Sequence, residues 1–162
     1  MPDQAVLKFG RTEAGYRLCL EGRGTMHESG WAEIFVDEVL ADPTVAVVFD
    51  LSGCQYLDST FLGCLLGMNS RHGPSRFRVA TPPDLTRKLF GASKLDLVLK
   101  ISADLPPVIG EYMVLRRDEM NSREIARHIM ECHRRLAEIP GPQQNAFAAI
   151  AKQMARELET RG

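Results

Sequence analysis

The 162-residue chain lacks most of the features that assign a protein quickly to a class. It has no apolar run near the roughly 20 residues that a membrane-spanning helix needs; Val45–Phe49 is typical of its longest. The opening stretch MPDQAVLKFGRTEAGYRL has neither the basic start nor the apolar centre of a secretion signal. The chain therefore reads as cytoplasmic, with no membrane insertion. Neither sign of charge is in excess: 20 Lys and Arg face 21 Asp and Glu, for a net charge of −1. Nothing in that balance favours capture of nucleic acid or of an anionic membrane. Cys19, Cys54, Cys64 and Cys132 form no C-x-x-C pair and read as reduced thiols, most of them core filler.

The signatures of common chemistry are missing as well. There is no G-x-x-x-x-G-K-[ST] and no G-x-G-x-x-G to cradle phosphates, and no G-x-S-x-G nucleophile elbow. A serine or cysteine nucleophile needs a base and an orienting acid, and the first hundred residues contain only His27 and His72. His128 and Cys132 share a helix face, with His133 beside them, but a zinc site needs three or four ligands and the rest of the set is absent. The expectation is a chain without catalytic residues, metal or cofactor.

What is present is an ordinary globular composition, 44% apolar and 25% charged, long enough for one real core. Ala5–Phe9 is a short apolar run, and Tyr16, Leu18 and Leu20 alternate with polar neighbours as in a half-buried strand. Val45–Phe49 is continuously apolar, as in a strand covered on both faces. Phe77 and Val79 alternate with arginines, and Leu97–Ile101 reads as a further strand. Helical spacing joins Trp31, Ile34, Phe35 and Val39, then Leu62, Leu65, Leu66 and Asn69, then Leu85, Leu89 and Phe90. Thr25-Met26-His27-Glu28 matches a capping box. The order β-β-α-β-α-β-α-β predicts an α/β domain over residues 1–104, a mixed sheet with helices packed on it.

Leu105-Pro106-Pro107 breaks that pattern, and 105–120 reads as a linker in which 111–117 is a short strand or irregular. A second capping signal, Asn121-Ser122-Arg123-Glu124, opens a C-terminal helical hairpin over 121–162. One helix is striped by Ile125, Ile129, Cys132, Leu136 and Ile139, the other by Phe147, Ile150, Met154 and Leu158, with Gly141-Pro142 between them. Each stripe must be buried against its twin, the first domain or another chain, so a homodimer through these helices is among the possibilities.

Between the strand ending at Leu51 and the helix that follows stand Asp58-Ser59-Thr60. One such residue suffices to cap a helix; here there are three. A serine at a helix start beside a strand end is exposed, and phosphorylation there would add roughly −1.5 to −2 charges. The helix amides would accept that phosphate, while an acidic or apolar partner surface would reject it.

At these residues the sequence resembles a family. "VAVVFDLSGCQYLDSTFLG" is similar to the core signature of STAS domains, the fold of bacterial anti-sigma-factor antagonists. In that family a hydrophobic strand ends in a D-L-S/D-x-G turn, followed by an aliphatic-D-S-[ST]-G-L-G helix start. The matching residues are Asp50 to Gly53 and Leu57 to Gly63, and the likeness runs in order over roughly residues 4 to 102. Two positions depart from the pattern. Phe61 stands where the family has glycine, and Thr25 stands where many members carry an acid.

The resemblance implies a STAS-like mixed sheet flanked by helices, with the hairpin as an addition. It implies that Ser59 is the phosphoacceptor and that Asp58, Thr60, Phe61 and Thr25 lie at the partner surface. The unphosphorylated protein would bind an anti-sigma factor that is itself a serine kinase. Phosphorylation would end the complex, and a phosphatase would reset it. The alternative is a STAS module that binds or scaffolds without switching.

Overall fold

The computed structural model describes residues 5–160. Strand β1 (Val6–Arg11) turns into β2 (Gly15–Gly24), and the two pair antiparallel. Thr12 closes the turn, its Oγ1 accepting the Gly15 N–H at 3.1 Å. Helix α1 (Met26–Val39) follows, then β3 (Ala46–Asp50), β4 (Cys54–Leu57), α2 (Ser59–His72), β5 (Phe77–Ala80) and α3 (Pro83–Phe90). After a 3-10 turn at Leu95–Leu97 come β6 (Ile101–Ser102), β7 (Ile109–Val114), α4 (Ser122–Leu136) and α5 (Gln144–Thr160).

The strands lie in the order β6-β5-β3-β2-β1-β7, with β4 paired to the far end of β2. The pairs β2–β3, β3–β5, β5–β6 and β2–β4 are parallel; β1–β2 and β1–β7 are antiparallel. This is the mixed sheet that the alternating pattern predicts. Alternation along β2 sends Leu18 and Leu20 fully into the core, where Val47 and Phe49 of β3 join them. On its other side β3 is only half-buried at Ala46 and Val48, so the sheet is covered well on one face and partly on the other.

Two readings differ from the structure, and a third is narrowed by it. Leu97–Ile101 is mostly not a strand. Lys94 takes a left-handed conformation and starts the 3-10 turn, Leu97 is 79% exposed, and only Ile101–Ser102 reaches β5. Of the two readings left open for 111–117 the strand is the nearer, shifted to Ile109–Val114: β7 pairs with β1 at the sheet edge, and Leu115 N–H continues the contact to Leu7 O. On α1 the buried side runs through Ala32, Phe35 and Val36, and Ile34 faces out.

Helix α2 lies between the sheet and α4, which is why every residue from Thr60 to Met68 is buried. The hairpin therefore packs on its own chain: α4 against α2 and α1, and α5 against α4. Close approach is made possible by Gly63 and Gly67, one helical turn apart on α2. A Cβ on Gly63 would meet the Cys132 backbone, and one on Gly67 would sit 2.6 Å from the Arg135 guanidinium. Among the described residues no helix is long and apolar enough to cross a membrane.

Candidate functional site

The ends of β2 and β4 lie side by side. Leu57 pairs with Gly24, and the Asp58 N–H donates to Gly24 O at 2.9 Å. Helices α1 and α2 consequently start from adjacent strand ends, and one carboxylate serves both. Asp58 Oδ1 accepts the Phe61 N–H at 2.8 Å as the α2 cap, while Oδ2 accepts the Met26 N–H at 2.9 Å in the first turn of α1. Thr25 forms the capping box expected of it, accepting from His27 N–H while its own N–H donates to Glu28 Oε1 at 3.1 Å. Half-buried, Thr25 also lines an open cleft of about 810 Å³ with Arg23, Glu28, Trp31 and Leu115.

Ser59 occupies the first helical position of α2 and is half-buried. Since Asp58 caps the helix, the Ser59 hydroxyl is free for another partner, and it finds one 74 residues away: Ser59 Oγ lies 2.9 Å from His133 Nε2. The opposite ring nitrogen, Nδ1, sits 2.8 Å from the Ile129 carbonyl, one turn back on α4, so it carries a proton. In the neutral ring Nε2 is then the acceptor and the Ser59 O–H donates. The His133 ring is 3% exposed, with Phe147 of α5 packed on it at 5.8 Å between ring centroids.

Thr60 and Phe61 do not share this exposure. Thr60 is 5% exposed and Phe61 wholly buried, its ring edge-on to Phe49 at 5.8 Å. The space for a ring at this position comes from Gly24: a Cβ there would lie 2.9 Å from Phe61 Cδ2. In the folded chain neither side chain offers a surface to a partner. They support the turn from beneath.

A second polar cluster ties α1, α2 and α4 together. Ser29 donates its hydroxyl to Met26 O, so its oxygen accepts from His128 Nε2 at 2.8 Å. Glu33 lies 3.5 Å from Cys64 Sγ, 4.0 Å from His128 Nδ1 and 3.5 Å from Arg135 Nη1, the last an ion pair without an aligned hydrogen bond. The Cys64 thiol has the Ser29 carbonyl at 3.3 Å as its acceptor; the neighbouring Cys64, with His128 assisting against the cost of burial, brings Cys132 down to about 6. Burial, reinforced by Cys132 and Glu33, pushes Cys64 well up. Burial also works to lower His128, but Cys132 and Glu33 outweigh it and hold it above its ordinary value. Among the described residues no group of three or more side chains is arranged to hold a metal ion.

On the less covered face of the sheet an open cleft of about 560 Å³ is lined by Lys8, Arg17, Cys19, Asp50, Ser52 and Tyr112, among others. Arg17 binds Asp50 through Nε and Nη2, at 3.1 and 2.9 Å, and ties down the Pro106 carbonyl with Nη1. Asp50, Ser52 and Gly53 of the D-L-S-x-G turn line this cleft, whereas Thr25, Asp58, Ser59, Thr60 and Phe61 do not.

The architecture is STAS-like: a mixed sheet flanked by helices, with two packed helices at the C-terminus. A crystal structure of an anti-sigma factor antagonist from Mycobacterium paratuberculosis matches it with a TM-score of 0.55 at 24% identity, over 65% of this chain and 91% of that one. The likeness is one of fold. No family model matches the sequence, and no curated protein does either.

The pairing of Ser59 with His133 was not legible in the sequence. Helical spacing marks His128 and Cys132 as one face of α4 and leaves His133 beside it. No local pattern joins a histidine of the hairpin to a serine at the start of α2.

Proposed function

We propose that this chain is a non-catalytic cytoplasmic regulator, an anti-sigma-factor antagonist that works by partner switching. With Ser59 unmodified it binds an anti-sigma factor that is a serine kinase, and phosphorylation of Ser59 ends the complex. In that step Ser59 Oγ attacks the γ-phosphorus of a nucleoside triphosphate. The bond to the bridging oxygen breaks, the diphosphate leaves, and the hydroxyl proton passes to a base. A phosphatase later hydrolyses the ester with water and releases inorganic phosphate.

The observation that carries this reading is the division of labour at the α2 start. Asp58 does the capping, so the helix does not require the Ser59 hydroxyl. A phosphate there would meet helix amides and the positive end of the helix dipole. The antagonist-like fold supports the same reading. Asp58 and Thr25, half-buried at one edge, would border the partner, and Thr60 and Phe61 would act by holding the turn in shape. A homodimer through the C-terminal helices would use the outer side of α5, where Ile150 is exposed, because α4 packs within the chain.

The contact between Ser59 and His133 favours a second reading, a STAS module that binds constitutively with Ser59 serving only to seat the hairpin. Intact-mass analysis of the protein from its native cells, with peptide mapping across Tyr56–Arg71, separates the two. Phosphate on Ser59 in some growth conditions and not in others is the expected result. Ser59 unmodified in every condition would leave the constitutive module.

A further inference from the structure

We infer that the α4–α5 hairpin is the resident occupant of the outer face of α2, and that Ser59 and this face become accessible only when the hairpin lifts. The inference rests on reading Ser59 and α2 as the partner-binding region, and it adds how that region is regulated.

Burial is the first support. A helix that covers one face of a sheet normally keeps a polar outer side, yet α2 is buried from Thr60 to Met68 because α4 lies on it. The outer side of α2 is also shaped to receive a helix. Gly63 and Gly67 let the α4 backbone approach at Cys132 and Arg135, and Leu62 and Leu66 are only 9% and 6% exposed. Removing α4 would uncover an apolar, glycine-notched surface beginning at Ser59.

Beside the apolar part of the contact, where Cys132 and Leu136 join the core cluster of Leu62 and Leu66, polar pairs tie α4 down. They are Ser59–His133, Ser29–His128 and Glu33–Arg135. Interfaces of mixed polarity within a chain are the kind that separate, and satisfied polar pairs fix one docking geometry at little net gain in stability. The hairpin also carries ties of its own, with Arg123 Nη1 donating to Leu158 O and Gln144 Nε2 to Ala137 O. All seven strands lie before it, so its departure breaks no strand pairing. The segment 115–121, which has no regular structure, joins it to β7.

His133 marks the end at which docking meets chemistry. While Ser59 Oγ is hydrogen-bonded to its Nε2, the His133 ring and Phe147 cover the hydroxyl from the α4 side. A kinase or binding partner approaching α2 must displace them. Hairpin docking and partner binding therefore compete for one surface, and the free protein is held in the covered state.

The test uses the full chain with Gly63→Ala and Gly63→Leu. Alanine raises the helix propensity of α2 by about 1 kcal/mol, so α2 itself is not weakened, while any Cβ pushes against the backbone of Cys132. Hydrogen exchange followed by mass spectrometry should show α4 and α5 losing protection while β2, β3 and β5 keep theirs. In a Ser59→Cys background, alkylation at position 59 with iodoacetamide should run about tenfold faster with Gly63→Leu, the factor that about 1.4 kcal/mol of lost docking gives. Cys19 of β2 and Cys54 of β4, buried away from the hairpin, serve as the internal reference.

Loss of protection in hairpin and sheet together would overturn the inference, since the hairpin would then be part of the core. Equal alkylation rates with the hairpin undocked would also overturn it, since Ser59 would not be covered. Neither result depends on whether cells phosphorylate Ser59, so the covered state and the partner switch stand or fall separately.

Discussion

Asp58 and Met26, 32 residues apart, are joined where two helices begin: one oxygen of Asp58 accepts the Met26 N–H while the other accepts the Phe61 N–H. An N-terminal turn leaves its first amides without partners, and here a single carboxylate answers for two such turns. That makes Asp58 first a structural residue, whatever it does for a partner.

Replacing Asp58 with alanine should cost about 1–2 kcal/mol, the range for loss of a helix cap, and more if the two caps add. Asp58→Asn keeps one acceptor oxygen, which can serve Phe61, and loses the other, so it should fall between wild type and Asp58→Ala. Urea denaturation of the three proteins checks the order. Equal stability of all three would mean that water replaces the carboxylate at both helix starts.

Phe61 makes a second case in which the fold claims a residue that resemblance assigns to a partner. Its ring is fully buried against Phe49 and fills the space left by Gly24. Phe61→Ala should therefore destabilise by about 3–5 kcal/mol, while Phe61→Leu, which keeps most of the volume, should cost less than about 1.5 kcal/mol. Thermal denaturation decides it. A stable Phe61→Ala protein that fails only in partner binding would return the ring to the surface.

How far these features could be read from the chain depends on how locally they are encoded. The alternation of Leu18 and Leu20, the apolar run of β3 and the paired stripes of the hairpin are repeats within one element, so periodicity reveals them. Strand β4 is four residues long with Gln55 and Tyr56 exposed at its centre, too short to show a period. Strand β7 is exposed along its whole length, so its apolar residues carry no inside-outside pattern. Leu97 and Val98 look like a strand but sit in a turn set by the backbone of Lys94. At the site, Asp58-Ser59-Thr60 was visible as a cluster, but its division into cap, free hydroxyl and buried support depends on β4 lying beside β2. The hold of His133 on Ser59 spans 74 residues and has no local signature at all.

Arg17 and Asp50 give a prediction in acid. Burial alone would raise the Asp50 carboxyl, but hydrogen bonds from Ser52 and then the Arg17 guanidinium reverse this and hold it below its ordinary 3.8. An acid whose value is lower in the folded state stabilises the fold above the unfolded value, and the benefit is lost as pH falls through the folded one. The contribution of Asp50 is thus complete above about 3.8 and disappears below that. Asp50→Asn should flatten the stability profile in this acid window. Arg17→Met leaves a largely buried carboxylate without its cation, at a cost of about 3 kcal/mol near neutral pH, and moves acid unfolding to higher pH. Denaturation midpoints measured across the window test both variants, and parallel profiles for all three proteins would dismiss the ion pair.

The two central thiols, Cys64 and Cys132, should titrate far apart although they are neighbours. The neighbouring Cys64 favours the thiolate on Cys132 and brings it to about 6, with His128 on the same side of the balance. Burial, together with the neighbouring Cys132 and Glu33, keeps Cys64 protonated well above neutrality. Ultraviolet absorbance of the folded protein should therefore show one thiolate forming as pH rises through about 6. Cys132→Ser should abolish that step. Cys64→Ser should be more instructive than Cys64→Ala: serine keeps a polar group beside Cys132 and should hold the midpoint low, whereas alanine removes it and should move the midpoint toward the ordinary thiol value of 9.0. Identical midpoints in the serine and alanine variants would remove Cys64 as the cause and leave His128 as the group that draws the proton away.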